Sequence, residues 1–257
     1  MKPRVLVLRA AGSNCDVETA RAFELAGASA DLVHVNRLFA GEKRLADYAA
    51  LAIPGGFTYG DDVAAGKVLA VEIAARLADD VRGFLDNAGL VIGICNGFQA
   101  LVKTGLLPGS AGLPATLTHN DSQRFEARWV HLKIEPGRCL WTKSIEGEII
   151  TLPVAHGEGK FMVADSAALE KLERSGQVAA RYVRPDGGVP EYPADPNGSM
   201  SHIAGICDPS GRVFGLMPHP ERFVERLQHP RFTRGEGLRP WGLEIIRSGT
   251  LVAAGRG

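Results

Sequence analysis

Hydrophobic and polar positions along the first hundred residues follow two alternating rhythms. Short apolar runs recur at "RVLVLR" (4–9), "ADLVHV" (30–35), "YAALAIPGG" (48–56) and "GLVIGI" (89–94). Runs of that length, closed by turn residues, predict buried strands. Between the first two lies "DVETARAFELAG" (16–27), with Asp16 able to cap a helix and Gly27 placed to end it. Leu69, Ile73, Leu77, Val81 and Phe84 then recur at helical spacing, with Glu72, Arg76, Asp79 and Arg82 between them, which predicts one amphipathic helix. Strands alternating with helices imply βαβ crossovers and a parallel sheet covered on both faces.

After Gly109 the rhythm changes. "EARWVHLKI" (126–134), "GEIITLPVAHG" (147–157) and "VAARYV" (178–183) read as strands without long helices between them. "HIAGICDPSGRVFGLMPHPER" (202–222) reads as two strands joined by a "DPSG" turn. The expected fold is therefore α/β, a mostly parallel central sheet with helices on both faces, elaborated by a β-rich second half. It is expected to form one domain over residues 1–257.

Composition narrows the function without naming it. Of 257 residues, 45% are apolar and 23% charged, and Lys+Arg and Asp+Glu both number 29. That balance gives no reason to expect nucleic acid or a membrane surface as partner. No apolar run approaches the roughly 20 residues of a membrane span, and the apolar run of "MKPRVLVLRAAGSN" is too short for a signal peptide. The four cysteines, Cys15, Cys95, Cys139 and Cys207, are widely spaced and fit no zinc pattern. A disulfide framework is not expected at that density, which points to a reducing, cytoplasmic compartment.

Cys95 stands out by its neighbours. "GICNG" (93–97) has the form G-x-nucleophile-x-G, the strand-to-helix elbow of α/β hydrolases with Cys in place of Ser. Gly93 and Gly97 supply the small residues a tight corner needs. The thiol would stand at the C-terminal end of a sheet strand and face the N-terminus of the next helix, whose free N–H groups favour a thiolate. "PGG" (54–56) closes an earlier strand, and backbone N–H groups there, with that of Asn96, can form an oxyanion hole. In "MPHPER" (217–222) the two prolines favour extended geometry, which would put His219 and Glu221 on one side. The carboxylate can then hold one ring nitrogen and leave the other as a base. His156, with Glu158 two residues on, competes with His219 on these grounds. Cys15 is a loop thiol that could be reactive but is read as having a buried or site-edge structural role, and Asp61 and Asp62 are read as caps of the following helix.

The order Cys…His-x-Glu with an oxyanion turn upstream resembles the class I, triad-type glutamine amidotransferases, whose Cys-x-Gly-x-Gln signature "GICNGFQ" (93–99) matches. "GSNCD" (12–16), "PGGFTYGDD" (54–62), "AHGEGKF" (155–161), "DPNGS" (195–199), "IAGI" (203–206) and "GLMPHPER" (215–222) together resemble the glutaminase subunits of phosphoribosylformylglycinamidine synthase, an enzyme of de novo purine biosynthesis. The tail "HPRFTRGEGLRPWGLEI" resembles the longer variants of that family. Asp195 departs from the Asn expected there.

The resemblance implies that Cys95 attacks the carboxamide of glutamine, with His219 as base and acid and Glu221 orienting it. The N–H groups near Gly56 and Phe57, with that of Asn96, would hold the oxyanion. It favours His219 over His156, gives Gln99 a place in holding the substrate, and leaves 155–161 to line the site or meet a partner. It implies no cofactor or metal in this chain, which lacks a G-x-x-x-x-G-K-[ST] loop. ATP and magnesium would sit on a partner synthetase subunit acting on formylglycinamide ribonucleotide, with a small bridging subunit in some complexes. Glutaminase activity would be weak alone and strong in the complex. Two rivals remain: a DJ-1/PfpI-type Cys hydrolase, in which a late His-x-Glu is commonly absent, and a non-catalytic regulatory subunit on the same fold.

Overall fold

The structure is a computed structural model that describes residues 2–109, 113–234 and 238–255. The first half alternates as its pattern requires: β1 (Arg4–Arg9), α1 (Asp16–Leu25), β2 (Ser29–His34), α2 (Val35–Phe39), β3 (Ala50–Ile53), α3 (Lys67–Arg76), α4 (Ala78–Asp86), β4 (Leu90–Ile94) and α5 (Asn96–Lys103). The second half runs β5 (Ala115–Thr118), β6 (Glu126–Ile134), β7 (Ile149–His156), β8 (Lys160–Val163), α6 (Ser166–Arg174), β9 (Val178–Val183), β10 (Ile203–Cys207), β11 (Val213–Leu216) and α7 (Trp241–Ala254). Neither α6 nor α7 follows from the strand pattern read above. Gly235, Glu236 and Gly237 of the tail lie outside the described residues.

Nine strands form one sheet in the order β2-β1-β3-β4-β11-β10-β9-β6-β7, and β5 and β8 pair separately. From β2 to β11 neighbours are parallel; from β11 to β7 they are antiparallel. Interior strands β3 and β4 are buried along their whole length, as continuous apolar runs covered on both faces must be. Each fully buried Leu or Ile there contributes about 1.5–3 kcal/mol.

Three local expectations change. The amphipathic stretch is two helices, broken at Leu77, whose φ is −127°. Apolar residues four apart drift about 40° per step around a straight helix. The break resets that drift, so that Leu69, Ile73, Leu77, Val81 and Phe84 all stay buried. Asp16 is the first residue of α1 rather than its cap, and its carboxylate pairs with Arg9 at 2.5 Å. Residues 220–222 form a 3₁₀ turn rather than continuing extended from His219.

The sheet positions the site through β11. In parallel register with β4, its Leu216 lies beside Ile94, and the Cys95 N–H donates to the Leu216 carbonyl at 2.8 Å. The residues following both strands thus leave the same edge together. The antiparallel half curls back over that edge, since the His219 N–H donates to Pro153 of β7 at 2.9 Å.

Candidate active site

Cys95 sits between β4 and α5 at φ 50°, ψ −104°, a strained backbone for a residue with a Cβ. Its glycine neighbours are required by contact. A Cβ on Gly97 would lie 1.9 Å from the Ile53 carbonyl oxygen, and one on Gly93 would lie 2.6 Å from that of Gly97. The thiol is buried and its Sγ lies 3.7 Å from the Ala155 carbonyl oxygen at the end of β7.

His219 and Glu221 are buried too, and the His219 ring interacts with the Cys95 thiol. The imidazole Nδ1–H donates to Glu221 Oε1 at 2.6 Å, while Nε2 is buried and has no hydrogen-bond partner among the described residues. Burial works against an imidazolium here, but the Glu221 carboxylate and the Cys95 and Cys15 thiols outweigh it and hold His219 well above the ordinary imidazole range. The 3₁₀ turn thus delivers the carboxylate to Nδ1 by a different backbone route from the extended one expected.

The oxyanion turn needs one correction. The Phe57 N–H donates to the Gly12 carbonyl at 3.0 Å and is not free to bind an oxyanion. Among the described residues, the N–H groups of Gly56 and Asn96 have no hydrogen-bond acceptor. Gly56 lies at φ +151°, where a Cβ would meet the Gly12 carbonyl oxygen at 2.7 Å. The 12–14 loop therefore sets which amide is left over. The Phe57 side chain is half exposed at the cavity mouth, 6.3 Å from the ring of Phe125.

Gln99 and Asn96 tie the surrounding loops together. Asn96 Oδ1 accepts from the N–H and hydroxyl of Thr58, and its Nδ2 donates to Asp61 Oδ1 at 2.8 Å and to Gln99 Oε1 at 3.0 Å. Gln99 Nε2 donates to the Glu158 carbonyl at 2.6 Å. Both polar atoms of the Gln99 amide are thus engaged inside the protein, although the residue lines the cavity of about 210 Å³ beside Cys95. Among the described residues Asp61 reaches the start of α3 only through the Gly66 N–H at 3.3 Å, and Gly66 itself occupies the cap position, so neither Asp61 nor Asp62 is the cap.

His156 also lines this cavity. Its Nδ1–H donates to Asn120 Oδ1 at 3.1 Å, an orientation fixed because Asn120 Nδ2 donates to two carbonyls. Burial and the nearby His219 push its pKa down to about 3. An imidazole held neutral in that way is a weak base, which separates it physically from His219.

Cys15, expected to be buried or at the site's edge, touches the His219 ring. Its Sγ is 4.0 Å from Nδ1 and accepts from Arg222 Nη2 at 3.0 Å, and burial pushes its thiol up. Cys15, His219 and Glu221 place one metal-ligating atom each within 4.8 Å of one another. Those atoms are engaged otherwise: His219 and Glu221 share a short hydrogen bond, and Cys15 Sγ takes the Arg222 guanidinium and donates to Asn14 Oδ1 at 3.1 Å. Asp195 accepts from the Asn197 and Gly198 N–H groups, as an Asn oxygen can, and its second oxygen pairs with His202 at 2.7 Å. Neither the Asn120 anchor nor the Arg222–Cys15 contact is visible in residue spacing, because both join distant parts of the chain.

A thiol on a strained elbow, next to an imidazole oriented by a carboxylate and facing two free amides, is the constellation of a cysteine-dependent amidohydrolase. Residues 2–249 match the CobB/CobQ-like glutamine amidotransferase domain. The chain is 49% identical to phosphoribosylformylglycinamidine synthase subunit PurQ of Dehalococcoides mccartyi, over 94% of this chain and 93% of that one. It is 44% identical to the PurQ subunit of Methanococcus maripaludis over 95% and 91%. Among solved structures, PurLQS from Thermotoga maritima contains a chain with a TM-score of 0.76 and 35% identity, covering 98% and 99%. This chain belongs to the glutamine amidotransferase family, and within it to the PurQ subunits of phosphoribosylformylglycinamidine synthase.

Proposed function

We propose that Cys95, His219 and Glu221 hydrolyse glutamine to glutamate and ammonia through a thioester on Cys95. As a member of its family the chain is a glutamine amidotransferase subunit that supplies ammonia to a synthetase subunit in purine biosynthesis. The observation that carries the residue assignment is the convergence at one sheet edge of the strained thiol and the His219–Glu221 pair.

In the proposed sequence the thiol proton is already held on His219 Nε2, and the sulfur attacks the carboxamide carbon as thiolate. The N–H groups of Gly56 and Asn96 hold the resulting oxyanion, and losing one such donor typically costs roughly 10²–10³ in turnover. His219 returns the proton to the departing nitrogen, ammonia leaves, and a water activated by the same imidazole cleaves the thioester. Glu221 stabilises the imidazolium whenever the ring carries the proton and orients the ring when it does not. Gln99 acts by holding Asn96 and the 155–161 loop, which supports a role in shaping the substrate pocket.

Ammonia released into water is protonated and lost, so the reaction is useful only beside a subunit that consumes it. We assign to that subunit the ATP, the magnesium and the conversion of formylglycinamide ribonucleotide to formylglycinamidine ribonucleotide, with a small bridging subunit completing the complex. The whole chain is read as one domain, since one sheet runs through both halves. Among the described residues no helix is long and apolar enough to cross a membrane; the reading places the enzyme in the cytoplasm.

Labelling with a glutamine-analogue electrophile tests the assignment. Mass spectrometry is expected to find the adduct on Cys95 and to lose it in Cys95→Ala. An adduct on Cys15 alone, or none, would return the question to the rival hydrolase and regulatory readings.

A further inference from the structure

The cavity beside Cys95 presents hydrogen-bond acceptors with few donors to match them. Asp61 and Glu158 both line it. Asp61 is half buried, and its carboxyl is pushed up first by burial and also by the charge of Glu158. Its Oδ1 takes the Gly66 N–H and the Asn96 amide, but its other oxygen takes no hydrogen bond among the described residues, and neither does the Glu158 carboxylate. Lys103 lies within electrostatic reach of both, yet makes no ion pair with either among the described residues. A second, independent sign comes from His156. It lines the same cavity, and its tautomer leaves Nε2 as a buried lone pair with no partner among the described residues.

Walls of this kind fit a ligand rich in N–H groups and carrying a positive charge. Glutamine has two N–H bonds on the carboxamide and three on its α-ammonium. The carboxamide must lie at Cys95. Asp61 stands one side chain away from the elbow, joined to it through Asn96. A cation placed there removes the repulsion between the two carboxylates and completes their hydrogen bonding.

We propose that Asp61 and Glu158 bind the α-ammonium group of the substrate, so that the pocket selects a free α-amino acid amide over the same amide without that group. This rests on the glutaminase reading above and adds a substrate contact to it. Asp61→Asn keeps the oxygen that receives Gly66 and Asn96 but removes the charge; Glu158→Gln does the same for the second carboxylate and leaves the backbone carbonyl that holds Gln99.

The test compares ammonia release from L-glutamine and from glutaramate, which lacks only the α-ammonium, using the full chain assembled with its synthetase partner. The unsubstituted protein is expected to favour glutamine in kcat/KM by about 10–100-fold, the usual worth of a charge-assisted contact. Asp61→Asn is expected to shrink that preference by about tenfold, through a KM that rises more for glutamine than for glutaramate. Glu158→Gln is expected to shift it in the same direction and carries the test should Asp61→Asn not fold. An unchanged preference in the folded variants overturns the proposal. No ammonia from glutamine in the unsubstituted complex would overturn the glutaminase reading instead.

Discussion

His219 has its two nitrogens committed differently, and the chemistry follows from that division. Nδ1 is bound to Glu221 at 2.6 Å, which leaves Nε2 as the site for proton transfer. Glu221→Gln removes the charge that sustains the imidazolium while keeping a polar partner. We expect kcat/KM for glutamine to fall by about 10²–10⁴-fold, and the limb of the pH profile that reports His219 to move to lower pH. The linked stability has a definite sign. A His whose folded pKa is raised contributes fully below its unfolded value near 6.5 and loses that contribution as pH rises through the folded value. Melting curves at acid and alkaline pH should therefore show Glu221→Gln to be most destabilising on the acid side. The nucleophile, the base and its orienting acid were legible from spacing and motif. The fate of the Phe57 N–H was not, because the acceptor that takes it belongs to a loop more than forty residues upstream.

Among the elements, the elbow depends on how closely α5 can approach β3. A Cβ at position 97 would meet a backbone carbonyl, which cannot swing aside as a side-chain tip can. Gly97→Ala should push the helix N-terminus off the strand and move both Cys95 and the Asn96 amide. We expect a loss of about 1–3 kcal/mol in urea unfolding, the usual cost of overpacking, and a fall in glutamine turnover larger than the fraction unfolded explains. Element type was readable along most of the first half, since buried parallel strands leave uninterrupted apolar runs. Element boundaries were less so. The break at Leu77 answers to the sheet the helix packs on, and the turn at 220–222 answers to the partner its carboxylate must reach.

Across the whole molecule, the buried imidazoles give opposing pH dependences. His156 is neutral in the folded protein with a pKa near 3, against roughly 6.5 when unfolded. Its environment therefore stabilises the fold above pH 6.5, and that contribution is lost as pH falls toward 3, at a rate of at most about 1.4 kcal/mol per pH unit. His156→Gln retains an N–H for Asn120 but does not titrate, so its urea midpoint should vary less between pH 6.5 and 4 than that of the unsubstituted protein. Equal slopes would contradict this assignment of the buried neutral ring. The sequence by itself determined the alternation of strands and helices, the glycine-flanked thiol and the His-x-Glu pair, because each is written in residues close together along the chain. Only the tertiary structure decided that β11 joins β4 in parallel, that the antiparallel strands curl back over their shared edge, and that one amide of the oxyanion turn is already taken. Those outcomes come from hydrogen-bond pairing and packing between segments far apart in sequence, whose partners no local pattern specifies.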